Sequence, residues 1–244
     1  MPLAPTRIIP ITRKALYFDG IDDYAESGIV LDPNSDFTVI VMFKAYRYGN
    51  GAGDIAGIVT ERYGYAAARA GFDLRLTSTG YLQTALSDGA NLVEIQSPNE
   101  ITLNEWYIAG ARRNGGVLDL IVNGSVVNSA DVSALGTISV TEPLRIARYG
   151  NPNLIFQGEI PYVIVYARAL SDDEIQQIYN DPDHPPKSGL VLWLHDTSID
   201  TENNVWRDLS GNGNDATIYG ATAVDVVRPA TRVLDATRVI EPTR

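Results

Sequence analysis

Two short stretches of the chain concentrate the oxygen-bearing side chains that hard cations take as ligands. DGIDDY offers Asp19, Asp22 and Asp23, and DLSGNGND offers Asp208, Asn212, Asn214 and Asp215. Calcium is the cofactor these loops predict, in a structural role, although neither has the spacing of an EF-hand and the same residue types also make tight turns with no ion. A second chemistry is sugar contact, which uses flat rings beside polar groups. RYGNGAGD, RYGYAAARAG and ARYGNPN place Tyr48, Tyr63, Tyr65 and Tyr149 on loops or strand ends as candidate glycan platforms, with rim packing as the alternative for each. Nucleophilic chemistry has little material. There is no cysteine, and the two histidines are His184, in a proline-rich stretch, and His195, at the end of LVLWLH.

The composition bounds what can hold such residues. At 244 residues and 45% hydrophobic, the chain can bury a full core, and one domain with tails is the expectation. A formal charge of -11 opposes binding to a phosphate backbone, so nucleic acid is not an expected partner. No apolar run is long enough to span a membrane. The opening MPLAPTRIIPITRK, broken by prolines, does not read as a Sec signal.

Runs of strand length bounded by Gly, Asn, Asp and Pro recur along the chain: ALYF, FTVIVMFKA, FDLRLTS, GYLQTAL, LVEIQS, EWYIAGA, VLDLIVN, PLRIAR and EIPYVIVYA. RRNGGVLDLIVNGSVV adds two hairpin signals, at Asn114-Gly115 and Asn123-Gly124. The pattern predicts an all-β sandwich. One helix is expected near 171–179, where Ser171 caps the first turn and Glu174 reaches back to it, with Ile175 and Ile178 on the packed face. The stretch NDPDHPPKSG reads as a linker over its inner residues, 181–188.

ALYFDGIDDYAE, FTVIVMFKA, NEWYIAGARRNGGVLDLIVNGSVV, PLRIARYGNPNLIFQGEI and VYARALSDDEIQQIY together resemble the successive strands of a laminin-G-like, concanavalin A-like jelly roll, over roughly residues 15–180. The resemblance implies a jelly-roll β-sandwich. Members of this class often carry a structural calcium or bind glycans, and some are glycoside hydrolases. The hydrolases commonly use E-x-D-x-x-E on one strand, which this chain lacks. Pro161-Tyr162 stands where many relatives carry an acidic pair, so any role of that pair is lost. A non-enzyme is expected.

GLVLWLHDTSIDTENNVWRDLSGNGNDATIYGATAV resembles the opening of the same module, yet follows the helix. The order is that of a jelly roll cut open inside a connector, with its first strands, 189–227, moved to the end. Tails 1–14 and 228–244 share a Thr-Arg phrase starting at Thr6, Thr12, Thr231, Thr237 and Thr243. A six-residue period in a strand places Arg232, Leu234, Arg238 and Ile240 on one face. LVLWL (Leu190, Val191, Leu192, Trp193 and Leu194) is apolar throughout and must complete a sheet. It either folds back into its own domain or enters the next copy, which would build a head-to-tail filament. Exchange is the leading expectation here: a structural homopolymer, extracellular or on a virion surface. The alternative is a monomeric lectin-like module that binds cell-surface glycans.

Overall fold

The computed structural model describes residues 12–49, 55–62, 70–150 and 154–227. In chain order the strands are β1 (Thr12–Asp19), β2 (Tyr24–Ser27), β3 (Phe37–Ala45), β4 (Ile55–Thr60), β5 (Gly71–Thr77), β6 (Tyr81–Ser87), β7 (Leu92–Glu100) and β8 (Trp106–Asn114). They continue with β9 (Val117–Val122), β10 (Ser125–Asp131), β11 (Leu144–Ile146), β12 (Gln157–Tyr166), β13 (Leu190–Asp200), β14 (Val205–Asp208), β15 (Ala216–Tyr219) and β16 (Thr222–Val227). The helix α1, Asp172–Asn180, lies between β12 and β13.

The strands form two layers. The first has the order β10-β9-β8-β3-β12-β13, and the second β14-β15-β2-β11-β4-β5-β6-β7, joined through β13 and β14. At the other end of this path Asn128 Nδ2 on β10 donates to the Gln96 carbonyl on β7 at 2.9 Å, which brings the open edges together. Alternation sorts the side chains of β3: Phe37, Val39, Val41 and Phe43 face the core between the sheets, and Ile40 and Met42 face outward. The inward set meets Phe72, Leu74 and Leu76 of β5 and Leu82 and Leu86 of β6. The outward set packs under α1 through Ile175 and Ile178.

The helix and turns form as their residues dictate. Ser171 accepts the Glu174 backbone N–H at 3.2 Å, and the Glu174 carboxylate accepts the Ser171 N–H at 2.9 Å, a complete capping box. Asn123 and Gly124 both have positive φ, 49° and 80°, as a two-residue hairpin turn requires. The preceding hairpin turns one residue later than expected, at Gly115-Gly116, because β8 runs through Asn114.

The segment after the helix closes the sandwich of its own chain. Residues Leu190 to Leu194 of β13 pair with Tyr166 to Val163 of β12, and β16 pairs with β1 from Thr222↔Tyr17 to Val227↔Thr12. Leu192 and Leu194 are fully buried in the main core with Trp206, Ala216 and Ile218; Leu190 joins the cluster beneath α1, while Val191 and Trp193 are half-buried. The segment expected to be donated to a neighbouring copy instead has partners within its own chain. Every ladder that β13 to β16 make here is within one chain, because the two ends of the module lie side by side and the strand's demand for partners is met at home. Strand β1 also begins at Thr12, inside the stretch expected to be tail. Arg232, Leu234, Arg238 and Ile240 lie outside the described residues.

A charged clasp pins the returned segment. His195 on β13 contacts Asp183 at 2.9 Å through Nε2 and Asp196 at 3.0 Å through Nδ1, where Thr197 Oγ1 also lies at 2.9 Å. Arg13 of β1 pairs with Asp183 and lies 3.6 Å from Asp196. Burial alone lowers the pKa of His195, but the two aspartates outweigh it and the net shift is upward; hydrogen bonds from His195 and Arg13 hold Asp183 low against its own burial. The raised His195 contributes stability that is full below its ordinary 6.5 and lost as pH rises through its folded value. The lowered Asp183 contributes stability that is full above its ordinary 3.8 and lost as pH falls through its folded value. Asp183→Asn is therefore expected to lower the melting temperature most between pH 3.8 and 6.5 and less once pH has risen through the folded value of His195, where the Arg13 pairing and a neutral hydrogen bond remain to be lost. Equal loss at every pH would show that the clasp contributes no titrating interaction.

Candidate functional site

The outer face of the second sheet carries the chain's densest polar array. Register places Thr217, Glu26, Arg145, Thr60, Asp73, Ala85 and Glu94 in one lateral row across β15, β2, β11, β4, β5, β6 and β7. Residues opposite one another in a sheet share a face, and their alternates, such as Ala25, Phe72, Leu74 and Leu86, point into the core.

At the centre of the row Asp73 is fully buried between two arginines. Its Oδ2 lies 3.0 Å from Arg62 Nη1 and accepts the Tyr149 hydroxyl at 2.7 Å, while Oδ1 lies 2.6 Å from Arg75 Nη1. Arg75 also donates to Gln83 Oε1 at 3.1 Å and pairs with Glu94. Farther along, Arg145 is held at 2.9 Å by both Glu26 and Glu142. The carboxylates of this row are thus each clamped by arginine. That arrangement suits rigid hydrogen bonding. Glu61, adjacent to Arg62, has a raised pKa, of about 8, through burial; but it is 0% exposed and its Oε1 accepts the Leu31 N–H, which keeps it in the interior.

Two residues along from Glu26 and Thr217, on the same face, Tyr24 and Tyr219 sit opposite each other. Their rings stack with centroids 4.3 Å apart and 9° between planes, and the Arg148 guanidinium carbon lies 4.4 Å from the Tyr24 ring. Tyr219 is 41% exposed. Arg148 reaches this face because Ala147 adopts φ +65°: Ile146 and Ala147 both turn into the core, which breaks the alternation and sends Arg148 outward. A left-handed alanine costs about 1–3 kcal/mol and marks a position the surroundings over-determine.

The acidic loop borders this array. Asp19, Asp22 and Asp23 offer ligand atoms that all lie within 4.8 Å of one another, the one such group among the described residues. Burial, reinforced by the charges of Asp19 and Asp22, raises the Asp23 carboxyl, so a cation here would relieve like-charge repulsion. The second loop is used differently. Asp208 accepts the Trp193, Ser210 and Asn214 backbone N–H groups, Asn212 donates to the Leu190 carbonyl at 3.0 Å, and Asp215 accepts the Asp208 N–H at 2.8 Å. These side chains bind their own loop to β13, as turn formers do.

The expected tyrosine platforms do not assemble. Tyr149 is fully buried, its phenol pushed up first by burial and then by Asp73, and works as a prop of the arginine cluster. Tyr48 donates to the Ile101 carbonyl at 3.0 Å and is rim packing. Tyr63 and Tyr65 lie outside the described residues. Tyr24 and Tyr219 were missed because the pair forms between strands almost two hundred residues apart.

With this geometry in view, residues 19–176 match the family model described as the concanavalin A-like lectin/glucanases superfamily. The chain belongs to that superfamily. No curated protein matches it in sequence. Among solved structures, a candidate carbohydrate-binding protein from Bacteroides ovatus aligns with TM-score 0.66 and 21% identity over 89% of this chain; the chain spans 61% of that protein's length. A heptameric SAP-like pentraxin from Limulus polyphemus aligns with TM-score 0.52 and 16% identity, over 88% of this chain and 93% of the pentraxin. The CBM40 module of the Ruminococcus gnavus IT-sialidase, bound to α2,3-sialyllactose, gives 0.51 and 16%, over 69% of this chain and 98% of the module. At these identities the likeness is one of fold. No helix among the described residues is long and apolar enough to cross a membrane.

The buried triad of Arg62, Asp73 and Arg75 gives a direct stability test. Asp73→Ala leaves two buried arginines without their shared carboxylate and is expected to lower the unfolding free energy by about 3–5 kcal/mol in urea denaturation. A loss below about 1 kcal/mol would show that water reaches the cluster.

Proposed function

We propose that the chain is a non-enzymatic glycan-binding module whose sugar site is the outer face of the second sheet, with Tyr219 and Tyr24 as its platform. The observation that carries this reading is the parallel Tyr24–Tyr219 stack, with Tyr219 open to solvent, beside the Glu26–Arg145 pair. Such a ring covers the apolar face of a pyranose, and the flanking charged groups orient its hydroxyls. Membership of a lectin-bearing superfamily and the likeness to a candidate carbohydrate-binding protein support it. The setting that follows is extracellular or on a particle surface, where glycans are met. A hydrolase reading is weaker, because the carboxylates of this face are clamped by arginine.

Asp19, Asp22 and Asp23 are proposed to hold calcium beside this face, as the hard, clustered oxygens favour. The cation would fix the loop that leads into Tyr24; the chemistry it supplies is charge neutralisation.

Binding to an oligosaccharide panel tests the platform. Tyr219→Ala is expected to weaken binding several-fold to about tenfold in a protein that still folds, with a melting loss no larger than one stacked aromatic pair supplies. Undiminished binding would move the site elsewhere. For the cation, added calcium is expected to raise the melting temperature and a chelator to reverse this, and Asp22→Ala, also exposed, to abolish the response. A melting curve indifferent to calcium would return the loop to a turn-forming role.

A further inference from the structure

From the state of one side chain, Arg148, we infer that the glycan this module selects is acidic, bearing a carboxylate one sugar unit away from the ring that stacks on Tyr219. The inference rests on the glycan-binding reading and names the ligand class of the same site.

Among the described residues Arg148 has a ring contact but no carboxylate partner. The other arginines of this face are paired: Arg62 and Arg75 with Asp73, and Arg145 with Glu26 and Glu142. Elsewhere among the described residues Arg47 donates to the Gly20 carbonyl and Arg113 to the Pro33 and Gly115 carbonyls. The Arg148 guanidinium contacts the Tyr24 ring; among the described residues its Nε is closed to solvent with no hydrogen-bond partner, a state shared on this face by Nη1 of the ion-paired Arg145, and Arg148 has no carboxylate partner. An unmade hydrogen bond at a buried donor costs about 1–3 kcal/mol, more for a charged group; the Tyr24 ring offsets part of that cost, and an anion beside the guanidinium would offset more through its charge. In a chain of net charge -11, acidic residues that could have neutralised it are plentiful. The left-handed Ala147 that sends Arg148 to this face adds to that cost.

The geometry states what would satisfy it. A guanidinium presents a planar fork of donors that matches the two oxygens of a carboxylate. Tyr219 and Arg148 both lie within 4.4 Å of the Tyr24 ring, with Tyr219 parallel to it. Tyr24 is thus held between them, and a ligand that covers the open face of Tyr219 and also reaches Arg148 must be longer than one sugar ring. An oligosaccharide with a neutral unit on Tyr219 and a uronic or similar carboxylated unit at Arg148 meets both demands. The cation–π contact holds the guanidinium in place before the ligand arrives, so little ordering remains to be done on binding.

The experiment compares four probes of equal length by titration calorimetry: a galacturonic acid oligosaccharide, its methyl ester, the neutral galactose oligomer and a sulfated galactose oligomer. The acid is expected to bind about tenfold to a hundredfold more tightly than its ester or the neutral oligomer, the span a charge-assisted pair supplies. Arg148→Gln should erase that difference while leaving neutral-oligomer binding intact, which also shows that the variant is folded. Tyr219→Ala should weaken all probes that bind. Equal binding of acid and ester would overturn the acidic specificity and leave the glycan reading standing. Equal binding of the sulfated oligomer would overturn the commitment to a carboxylate in favour of charge alone. Binding of none of the four probes would overturn this inference; it would overturn the glycan reading too only if the wider oligosaccharide panel is also blank.

Discussion

One strand belongs to both sheets. β13 pairs with β12 through Leu194, begins its ladder with β14 at the same residue, and after a register shift continues it from Ile199, so the chain leaves the first layer and enters the second without ending. The rest of the structure hangs on that crossing. It places β15 against β2, and so puts Tyr219 opposite Tyr24. It also buries Trp206, whose indole donates to the His195 carbonyl at 2.8 Å from inside the main core. Burying an indole and two leucines on the core side of one segment contributes several kcal/mol, comparable with the whole stability of a small domain. The sandwich therefore cannot stand without the segment that arrives last.

The two faces of the sandwich are put to different uses. On the first sheet the outer face is apolar and covered by α1, which docks Ile175 and Ile178 over Ile40, Ile164 and Tyr166. On the second sheet the outer face is a lattice of arginine–carboxylate pairs, and a lattice of this kind is rigid because each lost contact would strand a buried charge. Rigid polar groups beside a stacked aromatic pair form a surface preorganised for a ligand rich in hydroxyls. Catalysis asks for the opposite, an accessible carboxyl free to pass a proton to a substrate, and of the two raised carboxyls among the described residues Glu61 is sealed in the interior and Asp23 is buried among like charges.

Much of the fold was legible in the residues. FTVIVMFKA gave a strand, Asn123-Gly124 gave a hairpin, and Ser171 with Glu174 gave the helix start, because each is a local signal with a local cause. That GLVLWLH enters a strand was legible too. Its destination was not: a strand is satisfied equally by its own sheet or by a neighbour's, and nothing in the run of apolar residues distinguishes them. The site was read less well. Tyr149 stands in a loop-like stretch, but the arginines that bury it lie some seventy to ninety residues earlier. Tyr24 and Tyr219 look like ordinary strand ends until β15 is laid against β2. The DLSGNGND loop carried the right atoms for calcium, and only coordinates show those atoms turned inward on β13.

The central claim is that the late segment returns to the early strands of the same chain and there builds the binding face. The chain has no cysteine, so a pair introduced at Glu26 and Thr217, directly opposite in register, reports the contact without interference. Oxidation at low protein concentration, followed by denaturing mass analysis, is the measurement. The account predicts a disulfide that closes within a single chain, with the product at monomer mass. A disulfide found only between chains, as covalent dimers and longer ladders, would contradict it and hand the segment to a neighbour.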